Sequence, residues 1–188
     1  MHTSYGEVLL PIARSSIARE LGQAFSANED AVWLQENGAC FVTLTQNGEL
    51  RGCIGTLEAH RPLLLDVKAN ARAAAFQDPR FAPLTVVEFE YTEVEISLLS
   101  SMQQLDFASE QDALAQLQPE IDGILFEFGR YRSTFLPQVW EQLPDPAEFM
   151  AHLKHKAGLK PNFWAEEVRL YRYTVSKWKE RDFKAQTT

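Results

Sequence analysis

Apolar positions recur at three- and four-residue steps between Glu7 and Leu21, where Leu10, Ile12, Ala13, Ile17 and Leu21 define one face and Gly22 follows. That spacing predicts an amphipathic opening helix with Gly22 just past its end. Asn28-Glu29-Asp30 is placed to cap a second short helix carrying Val32, Trp33 and Leu34, which Asn37-Gly38 ends. Two strand-like runs, 41–45 and 50–56, then flank Gln46-Asn47-Gly48-Glu49. An Asn-Gly pair in that setting predicts a hairpin, because both central residues of the tight turn take positive φ. Arg61-Pro62 opens a helix from Leu63 to Gln77, whose Leu64, Val67, Ala71, Ala74 and Ala75 form a narrow face suited to close packing on a sheet.

Asp78-Pro79-Arg80-Phe81 and Pro83 end that helix in an irregular connection. From Phe89 to Leu99 the alternation changes phase, since Phe89 and Tyr91 share one parity and Val94, Ile96 and Leu98 the other. A strand with a bulge near Thr92 or Glu93 would reconcile the two. Gln111 to Leu117 reads as a short helix, and Asp122-Gly123 turns the chain into a strand from Ile124 to Phe128. Pro137 suits the first position of a helical turn through Trp140. Asp145-Pro146-Ala147-Glu148 supplies a cap, a first-turn proline and an acid to a helix bearing Phe149, Met150 and Leu153, with Ala157-Gly158 at its far end. Val168 to Trp178 reads as a final strand, followed by the polar end Lys184 to Thr188. Interspersed strands and helices predict an α+β fold, a mixed or antiparallel sheet with flanking helices, in a single domain over residues 1–188.

Composition narrows the class without naming a reaction. With 188 residues, 45% hydrophobic and 23% charged, the chain is long enough to bury a core without disulfides, which excludes disordered and disulfide-scaffold classes. It holds no apolar run of bilayer length, and the Met1–Tyr5 start lacks a signal peptide's basic patch and apolar stretch, so a cytoplasmic location is expected. The net charge of -8 argues against broad binding to a phosphate backbone. Between Arg80 and Arg130 there is no Lys or Arg but there are ten acids, which reads either as a solvated face or as a carboxylate wall for a cationic partner. Lys154, Lys156 and Lys160 with Arg130 and Arg132 read as solvated bases. Cys40 and Cys53 form no CxxC pair and the four histidines no HExxH, so neither a metal nor a cofactor is expected.

The local anomaly is Leu50-Arg51-Gly52-Cys53-Ile54-Gly55. Simple alternation puts Arg51, Cys53 and Gly55 on one face of a strand. Glycines at 52 and 55 are costly there unless something approaches the backbone or a bulge intervenes. A guanidinium beside Cys53 would favour a thiolate, whereas plain packing would make Cys53 a small buried hydrophobe. Asp78 and Arg80 read either as cleft residues or as a loop clasp, and Glu93, Glu95 and Ser97 as a polar row on one strand face.

This motif set resembles the AMMECR-type domain, called AmmeMemoRadiSam system protein A in bacteria and archaea. The six residues Leu50 to Gly55 carry the resemblance, joined by Phe41-Val42-Thr43-Leu44, Asp78-Pro79-Arg80-Phe81, Glu95-Ile96-Ser97, Asp122-Gly123-Ile124, Phe135-Leu136-Pro137-Gln138-Val139 and Lys156-Ala157-Gly158-Leu159 with Trp164. What it implies is an α+β fold in two closely packed lobes and company with Memo-like and radical SAM proteins. The family's reaction is open. Its signature cysteine and arginine map onto Cys53 and Arg51, while Lys154 stands where many relatives are expected to have Cys.

Two functions follow as expectations. In one, the chain is a thiol-dependent enzyme or modification subunit acting on a small molecule or protein: Cys53 is the nucleophile, Arg51 holds an anionic group, Asp78 or Glu95 handles protons, and Gly52, Gly55, Arg80 and Phe81 form the binding side. In the other, the signature hairpin and the 78–81 loop dock a Memo-like or radical SAM partner, and Cys53 only packs. Nucleic-acid binding is the weakest reading, on charge grounds.

Overall fold

A computed structural model describes residues 4–184, which form two compact units. Ser100–Val175 make one, and the described residues before and after them the other. The second unit is thus an insertion within the chain of the first.

The first unit opens with α1 (Tyr5–Glu20), which starts where Ser4 and Glu7 cap each other's backbone N–H groups. Strands β1 (Cys40–Gln46) and β2 (Glu49–Gly55) make the expected hairpin, with Asn47 and Gly48 at φ 52 and 83. Helix α2 (Leu63–Phe76) follows, then α3 (Val86–Glu90) and β3 (Thr92–Leu99). After the insertion, β8 (Val175–Lys179) and α6 (Glu180–Lys184) complete the unit. The strand order is β2-β1-β3-β8, with β1 antiparallel to β2 and β3. Leu9, Ile12 and Ile17 of α1, Val67, Ala71 and Ala74 of α2, and Val42, Leu44, Val94 and Ile96 of the sheet form one buried core. Glu180 fastens the end of the chain to it, accepting the Val94 N–H at 2.9 Å and pairing with Arg14.

In the second unit, β4 (Gln103–Gln104), α4 (Glu110–Gln116), β5 (Gly123–Phe128), β6 (Tyr131–Phe135), α5 (Pro146–Lys156) and β7 (Arg169–Tyr173) give an antiparallel sheet ordered β4-β7-β5-β6. Phe126, Phe149, Leu153, Leu170 and Trp140 share its buried core, where Trp140 stacks on Phe149 with centroids 3.7 Å apart.

Several expectations need correction. Phe89 and Tyr91 are not strand residues: Thr85 and Glu88 form a capping box that starts α3, so the phase change marks a helix end. The run from Val168 to Trp178 is two strands in two sheets, parted at Thr174. Asn28 does not cap the short 3₁₀ turn Val32–Gln35; its side chain accepts the Asp30 N–H, and Ala31 stands at the cap. The β5–β6 hairpin, turning at Gly129 (φ 55), was not visible in the pattern. Lys184 closes α6, while 185–188 of the polar end, like 1–3 of the start, lie outside the described residues. Among those described, no helix is long and apolar enough to cross a membrane.

Candidate functional site

The six residues 50–55 form most of β2, an edge strand of the first sheet. The hairpin register pairs Leu44 with Gly52 but Thr45 with Leu50, leaving Arg51 as the extra residue of a β-bulge. This corrects the simple alternation that placed Arg51 and Cys53 side by side. Gly52 faces α2, where an added Cβ would stand 2.1 Å from the carbonyl oxygen of Ala74; the alanine face of α2 and the glycine together let helix and strand touch. At Gly55 the space is filled by the ring of Phe41, 2.2 Å from where a Cβ would be. Both glycines therefore serve internal contacts and offer no open backbone to a ligand.

Cys53 lies opposite Thr43, whose hydroxyl donates to its sulfur at 3.3 Å, and it is partly exposed. Its backbone N–H donates to Asp78 Oδ2 at 2.9 Å and its carbonyl accepts from Arg80 Nη2 at 3.4 Å. Asp78 and Arg80 are joined in a fork, Nε to Oδ1 at 3.0 Å and Nη2 to Oδ2 at 2.7 Å. The Arg80 guanidinium, helped by the backbone N–H groups of Cys53 and Arg80, holds the buried Asp78 carboxyl far below the ordinary carboxylate range. Asp78 is thus a fixed, ionised acceptor and not a group that trades protons near neutrality.

Arg51 turns to other partners. Its Nε donates to Glu88 Oε1 at 3.1 Å and its Nη2 to the Ala82 carbonyl at 2.8 Å. Arg51 and the Thr85 backbone N–H lower the Glu88 carboxyl to about 2. The guanidinium that reaches Cys53 is that of Arg80, not Arg51. The guanidiniums of Arg51 and Arg80 both stand over the Phe81 ring, 5.6 and 5.5 Å from its centroid. Of the expected site residues, the structure gathers Arg51, Gly52, Cys53, Asp78, Arg80 and Phe81 around one strand edge. Glu95 lies across the sheet: it pairs with Thr43 from the other side, and two strand spacings put it about 10 Å from Cys53. Lys177 and Lys179 hold it at 3.3 and 3.2 Å.

Glu88 and Thr43 were missed because each acts through a partner distant in sequence. So was Asp66. It is fully buried in the first turn of α2 and accepts from the Cys40 N–H (2.9 Å) and Sγ (3.4 Å), Thr56 (2.7 Å), Arg61 (2.8 Å) and Asn70 (3.0 Å). Burial, with the Asp66 charge, pushes the Cys40 thiol far above its ordinary range. Both cysteines are free.

The acidic middle segment is only partly a solvated face: Glu90, Asp106, Asp112 and Glu120 are exposed, while its other six acids meet bases. Glu88 meets Arg51, Glu93 Arg181, Glu95 the two lysines, Glu110 Lys154, Asp122 Arg172 and Glu127 Arg132. Bases from elsewhere in the chain thus match most of its acids. Lys154 is not solvated but buried on Glu110 and the Phe163 carbonyl, while Lys156 is exposed and donates to the Thr134 carbonyl at 2.8 Å. Two hollows, of about 330 and 260 Å³, lie in the second unit and share Glu167 and Arg169; no expected site residue lines either. Among the described residues, no group of three or more His, Cys, Asp or Glu is arranged to hold a metal.

The family model described as AMMECR1 matches residues 10–178, which include all of this strand-edge arrangement. The chain belongs to the AMMECR1 family. AMMECR1-family relatives include protein MJ0810 of Methanocaldococcus jannaschii, 38% identical over 149 residues, covering 77% of this chain and 74% of that one. A protein of Methanothermobacter thermautotrophicus is 36% identical over 174 residues, 89% and 90% of the two chains. The crystal structure of uncharacterized protein PH0010 from Pyrococcus horikoshii superposes with a TM-score of 0.80 at 32% identity, over 93% of this chain and 91% of that one. The segment around Cys53 is, in this chain, a bulged edge strand clamped by the 78–82 segment.

Proposed function

We propose that this AMMECR1-family chain is a cytoplasmic component of a modification system acting with Memo-like and radical SAM proteins. Its part is to dock one of them through the surface made by the signature hairpin and the 78–82 loop. One observation carries the reading: Asp78 and Arg80 hold both backbone groups of Cys53. Strand β2 and the 78–82 loop are thereby locked together before any partner arrives, and a preorganised surface loses little freedom on binding. Leu50 stands exposed on β2, and Val87 and Tyr91 are exposed on and just after α3, whose Glu88 pairs with Arg51. The test is co-purification of the full chain with a Memo-like and a radical SAM protein. Complex formation should weaken at least tenfold with Arg80→Ala and stay within twofold with Cys53→Ser. Absence of any complex overturns the reading.

A second reading, thiol chemistry at Cys53, draws support from the partly exposed sulfur with a hydroxyl aimed at it. It needs a proton acceptor other than Asp78, which is already committed. If loss of Cys53 abolished modification of a substrate by the assembled system while leaving complex formation intact, this reading would displace the first.

A further inference from the structure

Strand register and one ion pair bring three exposed apolar side chains to the same corner of the first unit. Glu49 stands opposite Gln46 on β1, and Gln46 opposite Thr92 on β3, so Thr92, the residue after Tyr91, is two strand spacings, about 10 Å, from Glu49. Gln46 Nε2 donates to Thr92 Oγ1 at 3.0 Å and Arg51 Nε to Glu88 Oε1 at 3.1 Å, which ties β1 to β3 and β2 to α3. Val87 and Tyr91 are one helical turn apart, on the side of α3 away from the buried Phe89. Val87 is 70% exposed, Tyr91 53% and Leu50 44%. Single exposed apolar residues need no explanation, but three gathered at one corner mark an interaction surface.

Charge decides what fits there. Glu49 precedes Leu50 and Glu90 precedes Tyr91; both acids are exposed, and among the described residues neither has an ion-pair partner. The nearby arginines are already committed, Arg51 to Glu88 and Arg80 to Asp78. The corner is thus apolar with two unmatched negative charges on its rim. A nucleic acid or an anionic membrane surface is repelled there, and a second copy laid on it by twofold symmetry would set acid against acid. We infer that this corner receives an amphipathic, lysine- or arginine-rich helix of the partner protein, with the helix's apolar stripe on Leu50, Val87 and Tyr91 and its basic flanks at Glu49 and Glu90. The inference rests on the docking reading and names what the partner contributes to it.

The probe is a fluorescently labelled, capped peptide of fourteen residues, lysine and leucine only, with its leucines at three- and four-residue steps. Its controls are the same peptide with glutamate in place of lysine, and one of the same composition in strict alternation, which has no apolar helical stripe. Each is titrated with the full chain and followed by fluorescence anisotropy. The helical basic peptide should bind saturably, at least tenfold more tightly than either control, and less tightly as salt rises. Val87→Ser with Tyr91→Ser, and separately Glu49→Gln with Glu90→Gln, should each weaken it at least fivefold at an unchanged melting temperature. Val32→Ser, at an 82% exposed position on the Val32–Gln35 turn, should leave it within twofold. No saturable binding, equal binding of the three peptides, indifference to either paired variant, or an equal loss with Val32→Ser overturns the inference. A complex with the Memo-like or radical SAM protein that forms undiminished in either paired variant overturns it too, and leaves the docking reading intact. Specific peptide binding without any such complex sinks the docking reading and leaves this corner standing as a receptor for a basic helix.

Discussion

Asp78 accepts the backbone N–H of Cys53 at 2.9 Å and so does for the edge strand β2 what a further strand would do. Exposed strand edges are templates for unwanted pairing, and a side chain that occupies the edge blocks it. Replacing Asp78 with Ala removes the acceptor for Cys53 and the partner of Arg80 at once, leaving a half-buried N–H unmatched. We expect a loss of about 2–3 kcal/mol in urea unfolding, together with a greater tendency to self-associate in light scattering. An unchanged midpoint would show that the clamp is decorative.

Acid should weaken the first unit through Glu88. Its folded value of about 2 lies below the roughly 4.3 of an unfolded glutamate, so the unfolded state takes up its proton first as pH falls. The contribution is therefore complete above about pH 5 and lost progressively toward pH 2. Asp78, also depressed, acts in the same direction. Glu88→Gln should flatten the acid limb of a plot of unfolding midpoint against pH relative to the parent chain; identical limbs would assign the acid sensitivity elsewhere.

The elements that could be read from the sequence are those whose signals are local. The Asn47-Gly48 hairpin, the alanine face of α2 and the Asp145 cap of α5 each depend on residues a few positions apart, and each is where it was expected. The failures share the opposite property. Arg51 could not be recognised as a bulge residue, because a bulge is defined by the register against β1, and Thr43 to Leu44 contain nothing that announces it. Phe89 and Tyr91 have strand-forming side chains, but the Thr85–Glu88 capping box overrides that propensity. The acidic middle segment looked unbalanced only because its bases arrive from residue 51 and from 132 onward. Asp78 and Arg80 were legible as a pair, and the edge they guard was not.

Gly52 and Gly55 should differ in their tolerance of a methyl group. At Gly52 the added Cβ meets the Ala74 carbonyl oxygen at 2.1 Å, and a helix backbone cannot step aside without moving α2. Gly52→Ala should cost about 3 kcal/mol or more, or leave the chain unfolded. At Gly55 the obstacle is the Phe41 ring, which can rotate away, so Gly55→Ala should cost about 1–2 kcal/mol. Equal losses in thermal unfolding would contradict the assignment of a rigid neighbour at one site and a movable one at the other.

The two thiols should separate cleanly in alkylation. Cys40 is fully buried, and burial with the Asp66 charge keeps its thiol protonated; Cys53 is partly exposed. Brief iodoacetamide treatment of the native chain at neutral pH should add one adduct, located at Cys53 by mass spectrometry, and a second at Cys40 only in denaturant. Labelling of Cys40 first would mean that the first unit opens locally around α2.

Lys154 offers a test of which half of a buried ion pair matters. Its side chain is 2% exposed, while that of its partner Glu110 is 33% exposed, so the two ends of the pair stand in different surroundings. Lys154→Met keeps the volume of the stem, removes the charge from the interior and leaves Glu110 able to find water; we expect a change within about 1 kcal/mol. Glu110→Ala leaves the ammonium buried with only the Phe163 carbonyl and the Trp164 face for company, and should cost about 2–4 kcal/mol. The order of the two effects in denaturant unfolding is what the asymmetry dictates. If Lys154→Met proved the more damaging, the lysine would be acting as a tie between α4, α5 and the Phe163 segment rather than as a buried charge in need of a partner.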